Sequence, residues 1–128
     1  MPQYMGTIAE LGIALADLVE DQRDWSIATF GPDTERGPIG PLKHLAKEAV
    51  EAQRAYESLR IMGETQPVSD KFKEELADCL ILILDASRRG GIKIMQLIEA
   101  AREKMKINKT RSWPKGITDE PVEHIRDD

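Results

Sequence analysis

The sequence predicts an all-α protein. Apolar residues recur at steps of three and four in four separate segments, and strand-like alternation is nowhere sustained. The 128 residues, 41% hydrophobic and 32% charged, fit one soluble globular domain. A four-helix bundle is the expected architecture, with its last fourteen or so residues, after about Pro114, poorly ordered.

The first helix is expected to open at Thr7, which with Glu10 has capping-box spacing, and to carry Ile8, Leu11, Leu15 and Leu18 as one stripe to about Gln22. DWSIATFGPDTERGPIGP then reads as irregular chain because of its Gly and Pro content, placing Trp25 and Phe30 in a long loop. A second helix starts around Pro41, a residue suited to a first turn, and sets Leu42, Leu45, Ala49, Ala52, Tyr56 and Leu59 inward, until residues 63–67 break it. A third covers about 69–89, amphipathic at first and then apolar nearly all round through LILIL, and stops at Gly90 and Gly91. A fourth, near 92–108, carries Ile94, Leu97, Ile98, Ala101 and Met105 on one side. Burying the all-round apolar stretch of the third helix calls for a second subunit, so a homo-oligomer is expected.

The net charge of −5 argues against a nucleic-acid partner, since binding along a duplex needs a basic face that releases counterions. A small phosphorylated ligand remains compatible, because metal ions can supply positive charge. The single cysteine, Cys79, lies within LADCLILIL, so no intramolecular disulfide forms and the thiol reads as core filler. With no basic-then-apolar start and no long apolar run, the reading is cytoplasmic, with no membrane partner.

Chemistry enters with two acidic pairs. Glu48 and Glu51 are three residues apart on the second helix, and Glu75 and Asp78 repeat that spacing on the third, with Asp85 farther along. Packed helices bearing such pairs offer four carboxylates to a hard divalent cation, magnesium or manganese. A di-iron site is a poor fit, because Arg54 and Asp78 stand where a histidine is needed after Glu51 and Glu75. A single acidic pair is more often a solvated face than a site, and Asp85, with Arg89 four residues on, divides evenly between ion pair and outer-shell ligand. Lys104, Asn108, Lys109 and Arg111 make a donor-rich edge at the end of the fourth helix, suited to phosphate or simply to the helix dipole. Trp25 and Phe30 either stack on a base or plug the end of the bundle. His44 and His124 have no partner that would make a metal site or a nucleophile–base pair and read as incidental. The Gly37–Gly40 region follows no strand and lacks the Lys-Ser/Thr of a phosphate-binding P-loop.

KEAVE followed by EELAD resembles the ExxE…ExxD signature of the all-α nucleoside triphosphate pyrophosphatases, the MazG-like superfamily. TFG, GPLKHLAKEAVEA, ELADCLILILDASRRGGI and KMKINKTRSWP resemble its phage and bacterial dATP/dGTP diphosphohydrolase branch, which includes the MazZ enzymes that serve 2-aminoadenine DNA; the likeness covers about 25–114. It implies that Glu48, Glu51, Glu75 and Asp78 hold the metal, two or more Mg2+ or Mn2+ ions; Glu48 or Glu51 is also expected to accept a proton from the attacking water, as a carboxylate beside a bound metal can. It implies that Lys104, Asn108, Lys109 and Arg111 meet phosphates; Trp25 and Phe30, as aromatics able to stack on a base, are further substrate-site candidates. The implied activity converts a purine dNTP, dGTP above dATP, to dNMP and pyrophosphate in a dimer or dimer of dimers, in the host cytoplasm if phage-encoded. The rival readings are a house-cleaning pyrophosphatase for noncanonical nucleotides and a non-catalytic helical interaction module.

Overall fold

The structure, a computed structural model, describes residues 6–61, 70–116 and 118–126. Among these lie four helices, α1 (Ile8–Phe30), α2 (Ile39–Ile61), α3 (Asp70–Arg89) and α4 (Ile94–Thr110), and a 3-10 turn at Asp33–Glu35. The protein is all-α, as its periodicity predicts. The expected break at 63–67 and the start of α3 at Ser69 lie outside the described residues.

Helix α1 begins where the cap was expected: Thr7 Oγ1 accepts the Glu10 amide at 3.1 Å. It does not end at Gln22. It continues to Phe30 and stops at Gly31, which takes a φ of 100° while its amide donates to the Ile27 carbonyl at 2.9 Å. Trp25 and Phe30 are therefore helical, and the expected loop shrinks to residues 31–38 around the 3-10 turn. The apolar stripe lapses after Leu18 because the next inward positions, Gln22 and Ser26, are buried and polar. Periodicity read through hydrophobicity alone sees no helix there.

Helix α2 starts two residues before Pro41, which sits in the first turn, where its missing N–H interrupts no intrahelical bond. Tyr56 packs on Phe72, Glu48 lies at Glu75, and Gly40 lies beside Arg89, so α2 and α3 run antiparallel. Helix α1 packs on α3 as well. At its end, α3 is closed by Gly90 donating to the Ala86 carbonyl and Gly91, at a φ of 83°, donating to that of Arg88.

The expected core is only partly buried in one chain. Ala52, Leu84 and Ala86 are the buried apolar residues among those described, whereas Ile8, Leu11 and Ile13 on α1 and Leu76, Leu80 and Ile83 on α3 remain substantially exposed. No helix among the described residues is long and apolar enough to cross a membrane.

The chain divides into two compact units, residues up to Ile94 and those from Met95 onward. In the second unit, α4 ends with the Trp113 indole N–H donating to the Asn108 carbonyl at 2.8 Å. The chain then returns: the Ile125 amide donates to the Ser112 carbonyl at 2.6 Å, and His124 meets the Trp113 ring edge-on at 5.9 Å.

Candidate active site

Antiparallel packing of α2 on α3 brings the acidic residues of the two helices face to face. Carboxylate oxygens of Glu48, Glu75 and Asp78 all lie within 4.8 Å of one another. Glu75 is 5% exposed, a burial that a carboxylate does not adopt without a partner. Lys71, one turn earlier, supplies one at 2.7 Å. His44 Nε2 lies 3.1 Å from a Glu48 oxygen, so this histidine is part of the site and not incidental. Glu51 is not in the convergence: it is half exposed and leans toward Arg54 at 3.8 Å.

The electrostatics reflect this crowding. A hydrogen bond to Glu75, burial and the nearby charges of Glu75 and Asp78 push the Glu48 carboxyl up, against the pull of His44. Glu75 is held below the usual range by its bonds to Lys71 and Glu48. Of the two facing carboxyls, Glu48 is thus the more readily protonated. Burial, and then the charges of Glu48, Asp78 and Glu75, push the Cys79 thiol up, which makes it a poor nucleophile. Three convergent carboxylates facing one lysine and one histidine suit a divalent cation, which would supply hard positive charge to all three.

Glu48 and Asp78 also line a cavity of about 590 Å3 enclosed by α1, α2 and α3. Its far wall is apolar and aromatic, with Leu18, Trp25, Phe30, Ile81 and Leu82. Trp25 and Phe30 meet edge to face at 5.4 Å, and the Arg36 guanidinium caps the Phe30 ring at 5.6 Å. Each is 55% exposed, so they form a cavity wall and do not seal the end of a bundle.

Deeper in the same unit, Asp85 Oδ1 accepts from Gln22 Nε2 at 3.0 Å, Ser26 Oγ at 2.8 Å and Arg88 Nη2 at 2.6 Å, and Arg89 Nε stands 3.4 Å from Oδ2. Arg88 also binds the Gln22 side-chain oxygen and, at 2.7 Å, Asp33 on the 3-10 turn. Burial works to raise the Asp85 carboxyl, but the bonds from Gln22, Ser26 and Arg88 together outweigh it and hold the group below the aspartate range. Asp85 is therefore the ion-pair partner of Arg88 and Arg89 and lies outside the acidic convergence. Of this network, residue spacing exposes the Asp85–Arg89 pair. Gln22, Ser26, Asp33, Arg36 and Arg88 escape a sequence reading, although Leu15, Leu18, Gln22 and Ser26 do continue one helical step pattern.

In the second unit, Asn108 and Arg111 are half-buried and Lys104 and Lys109 exposed. Burial, and then the charges of Arg111, Arg126 and Lys104, lower the His124 pKa, which places these cations around one point.

An all-α fold with an acidic helix-pair convergence beside an aromatic-walled cavity suits a ligand that joins an anionic, metal-held part to a planar one. The match to the dATP/dGTP pyrophosphohydrolase family model spans residues 18–128, and the chain belongs to that family. It is similar to a solved structure of the cyanophage S-2L MazG-like pyrophosphohydrolase, bound to dGDP and three catalytic Mn2+ ions per active site. That likeness has a TM-score of 0.58 and 28% identity, covering 87% of this chain and 96% of the other. A segment of 53 residues, 41% of this chain, is 45% identical to the Eaa protein of Salmonella phage P22 and spans 17% of that protein's length.

Proposed function

We propose that this protein hydrolyses purine deoxynucleoside triphosphates, dGTP foremost, to the monophosphate and pyrophosphate. The observation that carries the reading is the convergence of Glu48, Glu75 and Asp78 within 4.8 Å at one side of an aromatic-walled cavity. These three carboxylates would hold Mg2+ or Mn2+, two or more ions, with Glu51 turning from Arg54 to add a fourth. The ions, when bound, neutralise triphosphate charge and lower the pKa of a water molecule.

The chain's own residues bind and orient. Glu48, in its ionised form, would accept a proton from water, with Glu51 as the alternative on the same helix. His44 steadies Glu48, and Lys71 keeps Glu75 ionised. Trp25 and Phe30 offer ring faces and edges to the base. Lys104, Asn108, Lys109 and Arg111 donate to phosphate oxygens.

The chain works as a single functional domain in a homo-oligomer, a dimer or dimer of dimers. The exposed residues Ile8, Leu11 and Ile13 and the outer face of α3 at Leu76, Leu80 and Ile83 support this, since that much apolar surface is costly to leave in water.

The test is incubation with each common dNTP and NTP under Mg2+ and then Mn2+, with product identification. Appearance of dGMP or dAMP with pyrophosphate, lost in Glu75→Gln, is the expected result. No consumption of any triphosphate would sink the reading and favour a non-catalytic helical module. Turnover confined to noncanonical nucleotides would mark a house-cleaning enzyme.

A further inference from the structure

We infer that Arg89 is the residue that selects a 6-oxopurine, guanine over adenine, by donating to the O6 and N7 edge of the base; the inference rests on the nucleotide reading of the same cavity. Arg89 lines that cavity, and its side chain is only 10% exposed. Its Nε is buried and makes no hydrogen bond. Asp85 Oδ2 stands 3.4 Å away, and the other Asp85 oxygen is taken by Gln22, Ser26 and Arg88. Around this point Arg36, Arg88 and Arg89 face Asp33 and Asp85, three cations against two anions; Arg36 also has two buried nitrogens without a hydrogen bond, but Arg89 is the one of the three that lines the cavity. A buried guanidinium nitrogen without a hydrogen bond calls for an acceptor.

Position determines which acceptors these are. Asp85, the partner of Arg89, is seven residues beyond Asp78 on α3, about 10 Å along the helix. Phosphates held at the carboxylates would leave the nucleoside extending into the cavity, past Trp25 and Phe30, toward Arg89. Gly40 on α2 lies alongside this guanidinium, 3.9 Å from Nη1 to the place a Cβ would occupy, so no side chain from α2 covers it there. The planar fork of arginine matches the two adjacent acceptors of guanine, whereas adenine turns an amino donor toward it.

The test reads binding without metal as well as turnover. In EDTA, calorimetry should show dGMP and dIMP binding about 10- to 100-fold more tightly than dAMP. With Mn2+, wild-type kcat/KM for 7-deaza-dGTP, which lacks N7, should fall about ten-fold below that for dGTP. Arg89→Gln, with unchanged helical circular dichroism, should move the preference toward adenine, which glutamine's paired donor and acceptor fit. Equal binding of dGMP and dAMP to wild type, or an unchanged preference in Arg89→Gln, would overturn the assignment. Should that variant not fold, equal wild-type kcat/KM for dGTP and 7-deaza-dGTP overturns it instead. Base-blind hydrolysis of dNTPs refutes this role alone, whereas absence of any hydrolysis and of any nucleotide binding refutes the proposed function with it.

Discussion

Replacing Asp85 by alanine should destabilise the fold by about 3 kcal/mol. The substitution strands the donors of Gln22, Ser26 and Arg88 and leaves Arg89 without its counter-ion, all in a buried setting. Removing one partner of such a group costs about 3–5 kcal/mol. The low end applies because Arg88 keeps Asp33 and the Gln22 oxygen. For a chain of this size that is roughly 10 °C in melting temperature. Asp85→Asn, which retains an acceptor and loses the charge, should lie between alanine and wild type. Because the folded pKa of Asp85 is depressed, its stabilisation is complete above the unfolded aspartate value of about 4 and is lost as pH falls below it. Urea unfolding followed by helical circular dichroism, at fixed protein concentration and at pH 7 and pH 3, tests both parts. An alanine variant within about 1 kcal/mol of wild type, or a wild-type–alanine gap equally wide in acid, would refute the account of this network.

Other consequences bear on the site. Glu48→Gln, Glu75→Gln and Asp78→Asn should each lower kcat/KM for dGTP at least about a hundred-fold with helicity kept, and Glu51→Gln should do less, as its place outside the convergence requires; steady-state kinetics decides. Stripping divalent ions with EDTA should abolish turnover, and adding Mn2+ should raise the melting temperature, since the ion relieves repulsion among three carboxylates; an unchanged melting curve would count against a metal at this point. Because the Glu48 carboxyl is raised, Mn2+ affinity by calorimetry should weaken as pH falls through its titration, and Glu48→Gln should flatten that dependence. Light scattering should give a multiple of 14.4 kDa, and charged substitutions at Leu76 and Leu80 should reduce it.

Helix content and the two acidic pairs were legible in the chain because both are local. A helix follows from steps of three and four, and carboxylates three residues apart share a face in any helix that forms. The cap at Thr7 and the stop at Gly90–Gly91 are local too. The end of α1 was not legible, because hydrophobic periodicity assumes an apolar interior and the face beyond Leu18 is buried through Gln22 and Ser26.

Tertiary structure alone decided which acids meet. The register of α2 against α3 joins Glu48 to Glu75 and Asp78 and leaves Glu51 with Arg54, although spacing makes all four look equivalent. Tertiary packing turned Trp25 and Phe30 into a cavity wall and brought Gln22 and Ser26 of α1 onto Asp85 and Asp33 of the 3-10 turn onto Arg88. Spacing along one helix determines the face on which a side chain lies; the depth and rotation at which two helices pack determine which opposing charge it reaches, and that depends on contacts far apart in sequence.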